Sequence, residues 1–141
     1  MSAAGIPLVG LDASTRSFDG LILCGGESRR MGSDKAFVDF AGEPLVMSPI
    51  RALHTARQVI AIGGNKTALE SVGVAHQPDV AEYGGPAVAI VDGARHLGEA
   101  ASPTTVVLAC DLPLIDSATV LAIVDIRLRT GADVAVVVDQ G

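Results

Sequence analysis

Leu21-Ile22-Leu23-Cys24-Gly25-Gly26-Glu27-Ser28-Arg29-Arg30-Met31-Gly32-Ser33-Asp34-Lys35 is the stretch on which the reading of this chain turns. Its apolar start, residues 20–24, has the length of a buried strand and breaks into a loop with glycines at 25, 26 and 32. Glycine carries no Cβ, so the backbone N–H groups of such a loop can close on an anion. Arg29 and Arg30 offer planar forks that fit phosphate oxygens, and Lys35 adds a mobile point charge. Three of the ten Lys and Arg residues fall in this window, although the formal net charge is −6. A local basic loop on an acidic chain points to a small polyphosphate ligand and away from a nucleic-acid surface.

Outward from this loop, apolar runs alternate with helical patterns. Residues 36–40 read as a short strand followed by a turn at Ala41-Gly42-Glu43-Pro44, and a helix lies within 44–57, with Ser48 as its N-cap and Pro49 at its first position. A second strand at 58–62 stops at Gly63-Gly64-Asn65; a short helix at 66–72 and a third strand at 74–76 follow. Gly84-Gly85-Pro86 opens a helix with an apolar face of Ala87, Ile90, Val91, Ala94 and Leu97. Residues 104–110 form the strongest strand. Asp116 caps a helix that turns Val120, Ile123, Val124 and Arg127-Leu128 inward, and 133–138 reads as a last strand. Strand alternating with helix predicts an α/β fold with a parallel, right-handed βαβ sheet. Residues 1–19 have no periodicity and read as a flexible arm before the nucleotide-binding domain at 20–141.

In such sheets ligands sit beyond the carboxyl ends of strands where the winding reverses. The loop after the first strand and the Cys110-Asp111 end of the strong strand are two such ends. Nucleotidyl transfer needs charge stabilised on both sides of the reacting phosphorus, which a carboxylate carrying Mg²⁺ beside cations supplies without a covalent intermediate. Asp111 is therefore the candidate metal ligand, with a turn or helix-cap aspartate as the alternative; Arg29, Arg30 and Lys35 are candidates for the triphosphate, with solvated loop cations as theirs. Asp34 is expected to order the loop by accepting backbone N–H groups.

The loop lacks G-x-G-x-x-G and G-x-x-x-x-G-K-[ST], which speaks against a dinucleotide-binding oxidoreductase and a P-loop enzyme. Its L-x-G-G-x-S-R-R-M-G-x-D-K pattern resembles the signature of molybdenum cofactor guanylyltransferases, within the nucleotidyltransferase superfamily. The resemblance is dense over 20–45 and resumes at Gly84-Gly85-Pro86 and at Leu108-Ala109-Cys110-Asp111-Leu112-Pro113. It implies a three-layer Rossmann-like nucleotidyltransferase fold with a mostly parallel sheet, and Mg²⁺-dependent transfer of GMP from GTP to molybdopterin with release of pyrophosphate. It also implies that Leu23, Cys24, Gly25 and Gly26 lie against the guanine nucleotide, with Cys24 replacing the family's alanine. Arg29 and Lys35 would be catalytic, Arg30 would join them on the nucleotide, and Asn65 and Asp79 would contact it from the loops after the second and third strands. An aspartate at the position of Asp111 binds magnesium in the family. Molybdopterin cytidylyltransferases, sugar-phosphate nucleotidyltransferases and a GTP-binding module without catalysis remain open, and the family implies molybdenum cofactor biosynthesis or delivery proteins as partners.

The family pattern usually continues beyond 133–138 with an N-x-N-x-P-E-D-like motif that is absent here, so a truncated chain lacking the acceptor half is expected. No apolar run approaches the roughly 18 residues needed to span a membrane, and residues 1–19 lack a signal-peptide pattern, which predicts a cytoplasmic protein. Cys24 and Cys110, each ending an apolar run, read as reduced, buried thiols.

Overall fold

Short apolar segments too brief to fold alone are held here by pairing with one another. The computed structural model describes residues 16–25, 34–79 and 84–138. In chain order the elements are β1 (Asp19–Leu23), a 3-10 turn (Lys35–Phe37), β2 (Asp39–Phe40), β3 (Glu43–Pro44), α1 (Met47–Ala52), β4 (Val59–Ile62), α2 (Lys66–Ser71), β5 (Ala75–Gln77), α3 (Gly85–Leu97), β6 (Thr105–Ala109) and α4 (Ser117–Thr130). The main sheet is parallel throughout, in the order β5-β4-β1-β6; β2 and β3 form a separate antiparallel hairpin. Winding runs from β1 through β4 to β5 and then reverses to place β6 on the other side of β1.

β1 is covered on both faces, as its unbroken apolar sequence requires. Leu21 packs with Ile62 and with Ala89 and Leu97 of α3, whereas Ile22 packs with Leu53, Leu69 of α2, and Val120 and Val124 of α4. Both β1 side chains are fully buried, and burial of side chains this size contributes about 1.5–3 kcal/mol each. Helices on both faces of one sheet make the three-layer α/β architecture expected from the sequence.

Several local expectations change. The face of α3 is rotated: Ala89, Gly93 and Leu97 are buried, while Val91 is 53% exposed. A Cβ on Gly93 would lie 2.9 Å from Leu21 Cδ1, so the helix approaches the sheet along its smallest residues. Ser48 is not the N-cap of α1, which starts after Val46; its hydroxyl donates to the Pro113 carbonyl at 2.8 Å. Residues 36–40 are not one strand, because Asp34 Oδ1 accepts from Ala36 N at 3.1 Å and caps the 3-10 turn before β2 begins. Residues 133–138 form no strand, and Val134 is 74% exposed; alternating β-branched residues supply propensity, but a strand needs a ladder partner. Residues 16–19, assigned to the arm, are packed: Phe18 and Asp19 are fully buried and Arg16 Nε lies 3.1 Å from Asp125 Oδ1. The expectations for residues 1–15, including the rest of the arm, lie outside the described residues. No helix among the described residues is long and apolar enough to cross a membrane.

Candidate nucleotide site

The reversal of winding falls between β1 and β6, and both carboxyl ends there carry predicted site residues. Cys24 N donates to Ile62 O at 2.8 Å, Cys110 N to Leu23 O at 3.1 Å, and Gly63 N to Gln77 O at 2.8 Å. The ladder thus extends one residue past the strands and holds Cys24, Gly63 and Cys110 in fixed positions. Open α/β sheets bind ligands in the crevice at such a point.

Asp111 and Lys35 meet across this crevice. Lys35 Nζ lies 3.2 Å from Asp111 Oδ2, and both side chains are well exposed. An exposed pair of this kind is worth about 0–1 kcal/mol, so either partner can be recruited by an incoming phosphate or cation at little cost. Asp34 has a different task. Its Oδ1 caps the 3-10 turn and its Oδ2 accepts from Asn65 N at 3.1 Å, so both oxygens are spent on backbone N–H groups, as expected from the sequence. Asn65 in turn accepts from Ala68 N at 2.9 Å and caps α2. Its side chain orders the loop after β4, and its amide nitrogen remains the group that could face a ligand.

The other wall is built from glycine. A Cβ on Gly25 would sit 2.6 Å from Asp79 Oδ2, and one on Gly63 would sit 2.7 Å from Gly25 Cα. Gly63 and Gly64 both have positive φ, at 77° and 75°, and a Cβ on Gly64 would come within 2.9 Å of Cys24 Cβ. Three strand ends therefore converge with almost no side-chain volume between them. Sequence reasoning treated Gly63-Gly64 only as a strand stop; a glycine doublet directly after a buried strand was the signal available.

Leu23, Cys24, Gly25, Lys35, Asn65, Asp79 and Asp111 thus fall on the same, carboxyl side of the sheet. The candidates Gly26, Arg29 and Arg30 lie outside the described residues. Asp116 caps α4 as expected, with Thr119 N donating at 2.8 Å, and the Thr119 donors hold its carboxyl below the usual range. Cys24 and Cys110 are free and buried. Their thiols share a hydrogen bond, which with burial pushes the Cys24 thiol far up.

Residues 20–141 match the model of the MobA-like NTP transferase domain family. Among curated proteins the chain is similar to a molybdenum cofactor guanylyltransferase of Acidovorax sp., 34% identical over 125 residues, covering 86% of this chain and 58% of that protein. A molybdenum cofactor guanylyltransferase of Pseudomonas putida is 35% identical over 125 residues, with 86% and 63% covered. The chain therefore spans about three fifths of the length of these relatives. Two solved structures share the fold at 20% identity. Rv0371c from Mycobacterium tuberculosis H37Rv has a TM-score of 0.61 with 80% of this chain and 62% of that one covered. CMP:2-keto-3-deoxy-manno-octonic acid synthetase, complexed with CTP, has a TM-score of 0.62 with 82% and 49% covered. With the family model matched from β1 to the last residue, the chain belongs to the MobA-like NTP transferase domain family.

Proposed function

We propose that this chain binds GTP at the carboxyl ends of β1 and β6 and acts in the Mg²⁺-dependent transfer of GMP to molybdopterin, with release of pyrophosphate. The observation that carries the reading is the Lys35–Asp111 pair spanning the reversal of winding. It sets a phosphate-seeking cation on the 3-10 turn beside a cation-seeking carboxylate just past the end of β6. The similarity to molybdenum cofactor guanylyltransferases supports the choice of substrates.

The donor set suits magnesium better than a metal that demands a full protein cage. Among the described residues no group of three or more His, Cys, Asp or Glu side chains converges. Mg²⁺ is ordinarily held by one or two carboxylates with waters and substrate phosphates completing its shell. Asp111 fits that role: Asp34 has both oxygens committed to backbone donors, and Asp79 lies against Gly25 on the glycine wall. Once bound, the metal would supply charge neutralisation on the phosphates. Lys35, released from Asp111, would meet the triphosphate. Gly25, Gly63 and Gly64 let the nucleotide lie against backbone, and Asp34 keeps the loop end seated on α2 by way of Asn65. Arg29 and Arg30 are proposed for the phosphates as well. Molybdopterin, and any protein that delivers or receives it, would approach from the crevice side, in the cytoplasm.

Thermal unfolding with GTP, CTP and UTP, each with and without Mg²⁺, tests the reading. The largest stabilisation should come from GTP with Mg²⁺, and Asp111→Asn should abolish the Mg²⁺ increment without lowering the unliganded midpoint. An equal or larger response to CTP would move the chain to a cytidylyl-transferring relative. A Mg²⁺ increment intact in Asp111→Asn would remove Asp111 as the ligand.

A further inference from the structure

Cys24 and Cys110 are two buried thiols at the base of the crevice whose sulfurs take no part in the proposed nucleotide binding. They follow β1 and β6 directly, and the β1–β6 register pairs Leu23 with Ala109, so the cysteines are the next two partners across the parallel pair. Cys110 N donates to Leu23 O, which holds the second backbone against the first at this level. Both are free, with relative exposures of 2% for Cys24 and 6% for Cys110, and their side chains are hydrogen-bonded to each other. Neighbouring backbones bring Cα atoms within the 4.4–6.8 Å or so that a disulfide spans.

We propose that Cys24 and Cys110 form a dithiol site that a peroxide closes to an intramolecular disulfide, and that closing it suppresses nucleotide binding reversibly. The second half rests on the nucleotide reading above. The sulfur of Cys110, the more exposed of the two, attacks one peroxide oxygen; the O–O bond breaks, a sulfenic acid forms and one water leaves. The Cys24 sulfur then attacks the sulfenic sulfur and displaces the hydroxyl as a second water, with the two thiol protons taken up in the waters. Each sulfur gives one electron and each peroxide oxygen gains one, so the balance closes with peroxide as the sole oxidant. A thiol is the reductant that reverses it by exchange.

The effect on the site follows from its packing. Contact between hydrogen-bonded sulfurs must shrink to an S–S bond of about 2.05 Å. The two strand ends are drawn together at the base of the crevice. Gly25 follows Cys24 and Asp111 follows Cys110, so the wall contacting Gly63 and Asp79 and the carboxylate that pairs with Lys35 shift together. The interior around them has no slack, since Gly64 already has room for no Cβ beside Cys24.

The test treats the whole 141-residue chain with hydrogen peroxide, alkylates residual thiols under denaturing conditions and maps the peptides. A cross-linked peptide joining residues 24 and 110 within one chain, absent after dithiothreitol, is the expected result. The thermal stabilisation by Mg²⁺ and GTP should be lost on oxidation and return on reduction. Sulfinic acid on Cys110 with Cys24 still alkylated, or disulfides only between chains, would overturn the dithiol site. A 24–110 cross-link with an undiminished nucleotide response would overturn the coupling. If the reduced chain shows no nucleotide response, the nucleotide reading has failed, and the coupling with it; the peptide map still decides the dithiol. Cys24→Ala and Cys110→Ala should each abolish the cross-link, and the untreated and reduced wild-type samples serve if either variant fails to fold.

Discussion

The two ends of the same sheet use aspartate in opposite ways. At the amino end Asp19 is fully buried, and its Oδ2 accepts from Ser102 N at 2.6 Å. Ser102 Oγ donates to Ser17 O at 2.6 Å, Asp19 N donates to Thr104 O at 3.0 Å, and Arg127 Nη1 donates to Thr104 Oγ1 at 3.0 Å. At the carboxyl end Asp111 is exposed and meets one mobile lysine. A carboxylate whose partners are fixed backbone groups serves the fold; one whose partner is a flexible cation can exchange it for a ligand. Position relative to the strand direction, more than residue type, separates the two.

The largest expected effect breaks the amino end. Asp19→Ala leaves Ser102 N without its buried acceptor and should cost on the order of 2–3 kcal/mol in a urea titration. A loss below about 0.5 kcal/mol would mean the buried carboxylate is not a structural anchor, and the contrast would fall. Next comes Gly64→Ala, which forces a positive φ on a residue with a Cβ and presses it against Cys24. It should destabilise by about 1–3 kcal/mol and weaken the response to GTP as well. An unaltered midpoint and nucleotide response would show that the glycine wall is not needed.

Smaller still is the pH response of the α4 cap. Because Asp116 titrates below the ordinary carboxylate value of about 3.9, its stabilisation is complete above that value and is lost as pH falls through the lowered one. The midpoint difference between wild type and Asp116→Asn should therefore be flat at neutral pH and shrink in acid; a difference that grows in acid would contradict the cap. The smallest effect on folding belongs to Lys35→Ala, within about 1 kcal/mol of wild type. That variant should nevertheless weaken GTP roughly tenfold to a hundredfold, as loss of one charge-assisted contact worth about 1.5–3 kcal/mol implies, while guanosine binding is unchanged. Calorimetry that found equal losses for both would place Lys35 away from the phosphates.

What was legible in the sequence was mostly what backbone pattern and short-range chemistry carry. The runs at Leu21–Leu23 and 104–110 announced buried parallel strands, and Asp34 and Asp116 announced their caps. A turn at Ala41-Gly42 was equally readable, but not that Glu43–Pro44, read as part of it, pairs back on β2 as a strand. The rest depended on tertiary proximity. The face of α3 was misread because Gly93 counts for nothing in a hydrophobic stripe yet allows the closest approach to Leu21. Ser48 looked like a cap because a hydroxyl before proline usually is one; its partner, Pro113, lies far along the chain. The role of Gly63 and Gly64 required knowing that Cys24 and Gly25 stand against them. The meeting of Lys35 with Asp111 depended on β1 and β6 being neighbours, which the order of elements along the chain does not reveal.

The register of β1 also carries a kinetic consequence. Gly20 pairs with Val59 on one side and with Val106 on the other, so the second contact closes more than twice as much chain as the first. Longer closure costs more entropy before pairing repays it, and topologies rich in such contacts fold slowly. β1, β4 and β5 are then expected to associate early and β6 to dock late. The crevice exists only after that docking, so an intermediate with most of its helices formed would still lack the place where Lys35 and Asp111 meet.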